Sequence, residues 1–80
     1  MTRTRLSSTE LTILKAIANG KSSKEAATLI DRSLGTVEAN VRALFAKFDA
    51  RSRAHLVGLG FRYQFITCED ISLDDLSQNA

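Results

Sequence analysis

Apolar residues recur with a helical period along most of this chain, and the breaks between runs are short and polar. Leu11, Leu14, Ile17 and Ala18 make the first run. Ser7 and Glu10 open it in the S-x-x-E spacing of a capping box, and Asn19-Gly20 supplies a left-handed stop. Ser22 and Glu25 repeat the box ahead of a second run, whose expected buried side is Ala26, Ala27, Leu29 and Ile30. Asp31-Arg32 leads into Ser33, placed to accept from the backbone N–H of Thr36 as the cap of a third helix. In it Val37, Val41, Leu44, Phe45 and Phe48 fall at i, i+4, i+7, i+8 and i+11, one apolar stripe. Asp49-Ala50-Arg51-Ser52-Arg53 ends that helix, and Ser52 caps a fourth. The fourth carries Leu56, Val57, Leu59, Gly60, Tyr63 and Phe65 or Ile66, weakened locally by Gly58 and Gly60. The pattern predicts an all-α domain of four helices.

The third helix has an unusual outer face. At about 100° per residue, the positions opposite its stripe are Gly35, Ala39, Arg42, Ala43 and Ala46. A solvated face ordinarily carries Lys, Glu and Gln. Small residues around one long cation let the helix approach another surface closely. The second helix, a turn of about three or four residues and this third helix form a helix-turn-helix arrangement.

Composition agrees with the pattern. Eighty residues make one small domain, and no Pro with only four Gly favours helices over a turn-rich β fold. One cysteine, Cys68, excludes an internal disulfide framework and fits a reducing interior. No apolar run is long enough to span a membrane and no signal-peptide core opens the chain, so the expected location is cytoplasmic. Isolated His55 and Cys68, with no Gly-rich phosphate loop, leave no nucleophile–base pair or metal cluster for an enzyme, and no cofactor or small-molecule ligand is implied.

Charge divides the chain. The net charge of +2 conceals +6 on residues 1–65 and −4 on residues 66–80, which hold Glu69, Asp70, Asp74 and Asp75 and no base. A basic body suits a polyanion, and the acidic end behaves as a separate tail or protein-docking segment. Residues 1–5 read as a basic arm with Arg3 and Arg5, residues 6–65 as the domain, and residues 66–80 as the tail, in which Ser72 and Asp75 cap a helical turn bearing Leu73 and Leu76. Lys21, Ser22, Ser23 and Lys24 crowd the first turn of the second helix, where an anion relieves two lysines set against the helix dipole. Four helices this small do not cover every apolar residue of the fourth. Leu56, Leu59, Gly60 and Tyr63 therefore form an expected homodimer contact.

Taken together these residues resemble the LuxR-type (GerE-like) helix-turn-helix DNA-binding domain. Leu6 to Glu10 resembles its opening, and Gly20 to Ala27 its G-x-S-x-K-E-I-A segment. Ser33, Thr36, Val37, Lys47-Phe48 and Arg53 match the S-x-x-T-V…K-L…R spacing without a gap. The resemblance covers about residues 6–65 and implies a four-helix domain with its third helix (34–48) in the major groove of double-stranded DNA. It also implies a fourth helix that pairs two protomers on a near-palindromic site. By position, Glu38, Ala39, Asn40 and Arg42 would face base edges, while Lys21, Ser22, Ser23, Lys24, Thr36, Lys47, Arg51 and Arg53 would sit near phosphates. Departures from the family pattern include Glu38 at a position often basic or polar, Asn40 for His, Thr9 for Arg, and Asp31 and Asp49 for glycines. The first helix begins almost at once, as in the family's stand-alone members.

The leading expectation is a dimeric, sequence-specific transcription regulator. The alternatives are an anti-activator or co-regulator that pairs through the fourth helix or acidic tail, and a DNA-bending recombination accessory factor.

Overall fold

Each of the four α-helices among the described residues is capped by a serine. Ser7, Ser22, Ser33 and Ser52 are extended in backbone and accept from Glu10, Glu25, Thr36 and His55 N–H, each at 3.1 Å. The computed structural model describes residues 5–71, in the order α1 (Ser8–Ala18), α2 (Ser23–Ile30), α3 (Leu34–Phe48), α4 (Arg53–Arg62) and a final 3-10 turn (Cys68–Asp70). Both capping boxes close as their spacing predicts, with Glu10 and Glu25 accepting from Ser7 and Ser22 N–H at 2.9 Å. No helix of the described chain is long and apolar enough to cross a membrane.

The helices also end alike. Gly20, Asp31, Asp49 and Gln64 adopt positive φ (80°, 55°, 53° and 66°) just beyond the four helices. In each case the following N–H reaches back to a carbonyl five residues earlier: Lys21 to Ala16, Arg32 to Ala27, Ala50 to Phe45 and Phe65 to Gly60. Asp31 and Asp49 thus occupy the left-handed position their family-pattern glycines would hold, which a short polar side chain tolerates. The residues 31–33 between α2 and α3 make the tight turn of a helix-turn-helix.

Eleven buried apolar residues form the core: Ile13, Leu14, Ala16, Ile17, Ala26, Ala27, Val37, Leu44, Phe48, Leu56 and Ile66. The predicted α3 stripe lies inward, with Val41 and Phe45 half-buried at its margin. Elsewhere the pattern needed correction. On α1, Ile13 and Ala16 are buried whereas Leu11 and Ala18 are only half-buried. Leu29 was expected inside α2 but is 65% exposed, because Ala26, Ala27 and Ile30 already turn that short helix's inner face to the core.

The chain after α4 departs most from expectation. Ile66 is 2% exposed and packs over Gly60, while Phe65 meets Phe48 edge-on at 5.6 Å between ring centroids. Asp70 pairs with Lys15 at 3.3 Å, and the Asn19 amide donates to the Asp70 carbonyl at 2.7 Å. Residues 66–71 therefore pack on the domain instead of starting a separate tail at residue 66. The 3-10 turn is capped by Asp70, which accepts from Thr67 N–H at 2.8 Å. The Ser72–Asp75 turn and Arg3 of the arm lie outside the described residues.

Gly60 is required by this packing. A Cβ there would stand 2.6 Å from Ile66 Cδ1 and 3.4 Å from Leu14 Cδ2, whereas a Cβ on Gly58 meets nothing within 4 Å. Gly58→Ala is expected to raise stability by up to about 1 kcal/mol through helix propensity. Gly60→Ala should instead lower it, because overpacking costs about 1–3 kcal/mol. Thermal unfolding of both, with Gly60→Ala/Ile66→Val as the relieving double variant, checks the contrast.

Candidate nucleic-acid interface

α3 presents one side to the core and the other to solvent. Gly35, Glu38, Ala39, Arg42 and Ala46 are exposed, and Ala43 is half-buried. The Ser33 cap and the Asp49 stop fix the two ends of α3 and hence which residues share that face. The two ion pairs among the described residues are Lys15–Asp70 and Lys47–Glu10, so the Arg42 guanidinium is held by no carboxylate there. Glu38 stands one turn before it on the same exposed side, without pairing.

Two residues expected near DNA are tied into the helix start. Asn40 is half-buried, and its amide donates to the Thr36 carbonyl at 2.8 Å, which turns that amide back along α3. One of its two N–H donors is therefore occupied within the helix. Ser33 donates its hydroxyl to Thr36 Oγ1 at 2.9 Å, leaving the Thr36 hydroxyl proton for another acceptor.

A second basic cluster forms where α1 ends, α2 begins and α4 begins. Arg53 Nη2 donates to Ser23 Oγ at 3.2 Å, bringing together residues 30 positions apart. Lys21, Ser22, Ser23 and Arg53 line a groove of about 630 Å³ with Ile17, Gly20, Ala54 and Val57. Two cations, two hydroxyls and the first turn of α2 thus share one surface, chemistry that suits a phosphate oxygen. Lys24 and Arg51 are exposed; the Arg51 backbone N–H donates to His55 Nδ1 at 3.0 Å.

Lys47 stands apart from this cluster. Its ammonium binds Glu10 Oε1 at 2.6 Å and the Arg5 carbonyl at 3.0 Å. Glu10 is buried, 6% exposed, because its carboxylate folds back to cap α1 just where the last turn of α3 crosses. Two of the three Lys47 donors are thus engaged inside the domain. Nothing local in the sequence marks this pair, since Glu10 already has a complete role as a capping residue. Burial acts to raise the Glu10 carboxyl, but the Lys47 and Ser7 hydrogen bonds and the Lys47 charge outweigh it and hold it below its ordinary 4.5. The Ser22 N–H and hydroxyl lower Glu25, and the Thr67 N–H with Lys15 lowers Asp70.

The α4 row is also redistributed. Leu56 is fully buried and Gly60 lies under Ile66, so both face the protomer's own core and offer nothing to a second copy. Leu59 is half-buried, and Tyr63 is 56% exposed while stacking on Phe48 at 6.1 Å. The side of α4 turned to solvent carries Ala54, Gly58 and Phe61, flanked by His55 and Arg62. Phe61, 37% exposed, was not singled out from the pattern because it falls one position from the expected row.

The family model for bacterial regulatory proteins of the luxR family (GerE) matches residues 4–59, from before α1 into α4. None of the curated proteins matches the chain.

The lowered carboxyls fix a sign for acid sensitivity. A group whose pKa falls on folding stabilises the fold above its ordinary range, and that contribution is lost as pH drops through the lowered value. The melting temperature should therefore hold level down to about pH 5 and decline below the ordinary carboxylate values of 4.5 and 3.8. Glu10→Gln should flatten the decline. Lys47→Ala should cost about 1–3 kcal/mol at pH 7, the scale of a hydrogen bond to a charged group. Circular dichroism melts across pH measure both.

Proposed function

The chain belongs to the luxR family of bacterial regulatory proteins, whose helix-turn-helix domain binds DNA in transcription regulation, and we propose that it reads a near-palindromic operator as a homodimer. The observation that carries this reading is Arg42, an exposed cation with no carboxylate partner among the described residues, on a face of α3 otherwise built mostly from Gly and Ala. Small neighbours let the helix seat deep in a major groove, where the guanidinium makes a bidentate contact to guanine O6 and N7. Ala39 offers its methyl to a thymine methyl, and Glu38 accepts from a cytosine amino group. Asn40 contributes through its carbonyl oxygen and its second N–H, since one N–H is held by the Thr36 carbonyl.

Phosphate contacts set register and supply affinity. Lys21, Ser22, Ser23 and Arg53 form one cluster for the backbone, assisted by Lys24, Arg51 and the Thr36 hydroxyl. Lys47 chiefly braces α3 against α1, with one donor left for a phosphate. Two protomers pair along the solvent side of α4, where Gly58 permits close approach, Phe61 supplies apolar area, and Leu59 and Tyr63 lie at the edges.

Selection of bound duplexes from a random library tests the reading. Wild type should enrich a near-palindromic motif, and Arg42→Ala should lose about 1–3 kcal/mol of guanine preference at one position in each half-site. Arg53→Ala should weaken all duplexes alike and reduce the slope of log affinity against log salt by about one. No enrichment by a folded protein would transfer the function to the protein-interaction alternative.

Assembly is checked separately. Phe61→Glu should shift sedimentation toward monomer and lower duplex affinity with helicity unchanged, whereas Leu56→Glu should unfold the domain. A Phe61→Glu variant that stays dimeric at wild-type concentration removes this side of α4 from the interface.

A further inference from the structure

The groove between α1, α2 and α4 has more than a phosphate-binding rim. Its lining includes Ile17, Gly20, Ala54 and Val57, an apolar surface that a phosphate alone leaves uncovered, beside Lys21 and Arg53. The chain after α4 runs toward it. Ile66 packs against Leu14 and Gly60 in mid-domain, and four residues later Asp70 is held by Lys15 and Asn19 near the end of α1. Gly20, the next residue after Asn19, is already in the groove lining. The segment that follows, residues 72–80, lies outside the described residues and reads Ser-Leu-Asp-Asp-Leu-Ser-Gln-Asn-Ala. It carries two leucines around two aspartates and no base, the complement of an apolar groove with a cationic rim.

We infer that this segment of the chain's own C-terminal side seats in the groove, Leu73 and Leu76 on the apolar lining and Asp74 and Asp75 toward Lys21 and Arg53. Reach is ample, because four extended residues span about 13 Å. The tether through Asp70 makes docking intramolecular, with an effective concentration of about millimolar for a short linker. Its consequence rests on the DNA-binding reading above. Lys21, Ser22, Ser23 and Arg53 are the proposed phosphate cluster, so the seated segment competes with DNA backbone for the same cations. The docking itself stands independently of that reading.

The test uses the full chain with Cys68→Ser and Ser77→Cys, the new thiol carrying a nitroxide label. Amide resonances of Gly20, Lys21, Ser22, Ser23, Ala54 and Val57 should broaden, and adding Leu73→Ser and Leu76→Ser should restore them. Absence of broadening at these amides overturns the docking. So does broadening that appears only between labelled and unlabelled chains in a mixture, which would give the groove to a second copy. On an operator duplex, Leu73→Ser/Leu76→Ser should tighten binding about tenfold if the segment is seated nine-tenths of the time. A chain that shows the broadening but binds no duplex even as the Leu73→Ser/Leu76→Ser variant supports the docking and removes the DNA reading. One that binds duplex without broadening does the reverse.

Discussion

The Glu10 carboxylate is the point on which the arrangement of helices depends. One oxygen accepts from Ser7 N–H to start α1 and from the Lys47 ammonium to anchor the last turn of α3. Through Lys47 the same contact reaches the Arg5 carbonyl. A buried carboxylate is costly unless paired and hydrogen-bonded, so this geometry admits few alternatives. It ties the orientation of α3, and with it the exposed face bearing Ala39 and Arg42, to the first helix of the chain. The lysine that the family pattern suggests for DNA is held by this carboxylate and by the Arg5 carbonyl.

Around that contact the fold relies on well-defined helix ends. Helices of 8 to 15 residues are marginal in isolation. Here a serine cap satisfies the start of each, and a left-handed residue with a backward hydrogen bond closes each end. Such ends fix where each helix begins and stops, which fixes the rotation of its faces. Only the first stop is glycine, and the two aspartate stops show that the family-pattern glycines can be replaced where the side chain is short and polar. Short connections then hold the second and third helices as one unit, with the basic cluster at the start of α2 and Arg53 brought to it from α4.

The acidic end of the chain joins this design in two stages. Residues 66–71 belong to the packed domain: Ile66 fills the space a side chain on Gly60 would take, and Asp70 pairs with Lys15. Charge separation along the sequence therefore does not mark the domain boundary. Asp70 sits against the basic body through Lys15, and with the exposed Glu69 half of the −4 charge of residues 66–80 belongs to the described structure.

Local chemistry was legible in the sequence. Caps act over three residues and an amphipathic stripe over four, so the helix starts, the inner face of α3 and the solvent position of Ala39 and Arg42 followed from spacing alone. Contacts between distant segments were not legible. Lys47 and Glu10 are 37 positions apart, and each reads locally as something else, a surface cation and a cap. Leu56 and Gly60 read as surplus apolar positions on α4, and only the packed domain, with Ile66 returning over Gly60, shows that they are interior. Leu29 shows the converse, an apolar residue left in solvent because two alanines and an isoleucine already occupy the inward side of α2. Periodicity tells which side of a helix is apolar, but what covers that side is decided by segments the chain brings back from elsewhere.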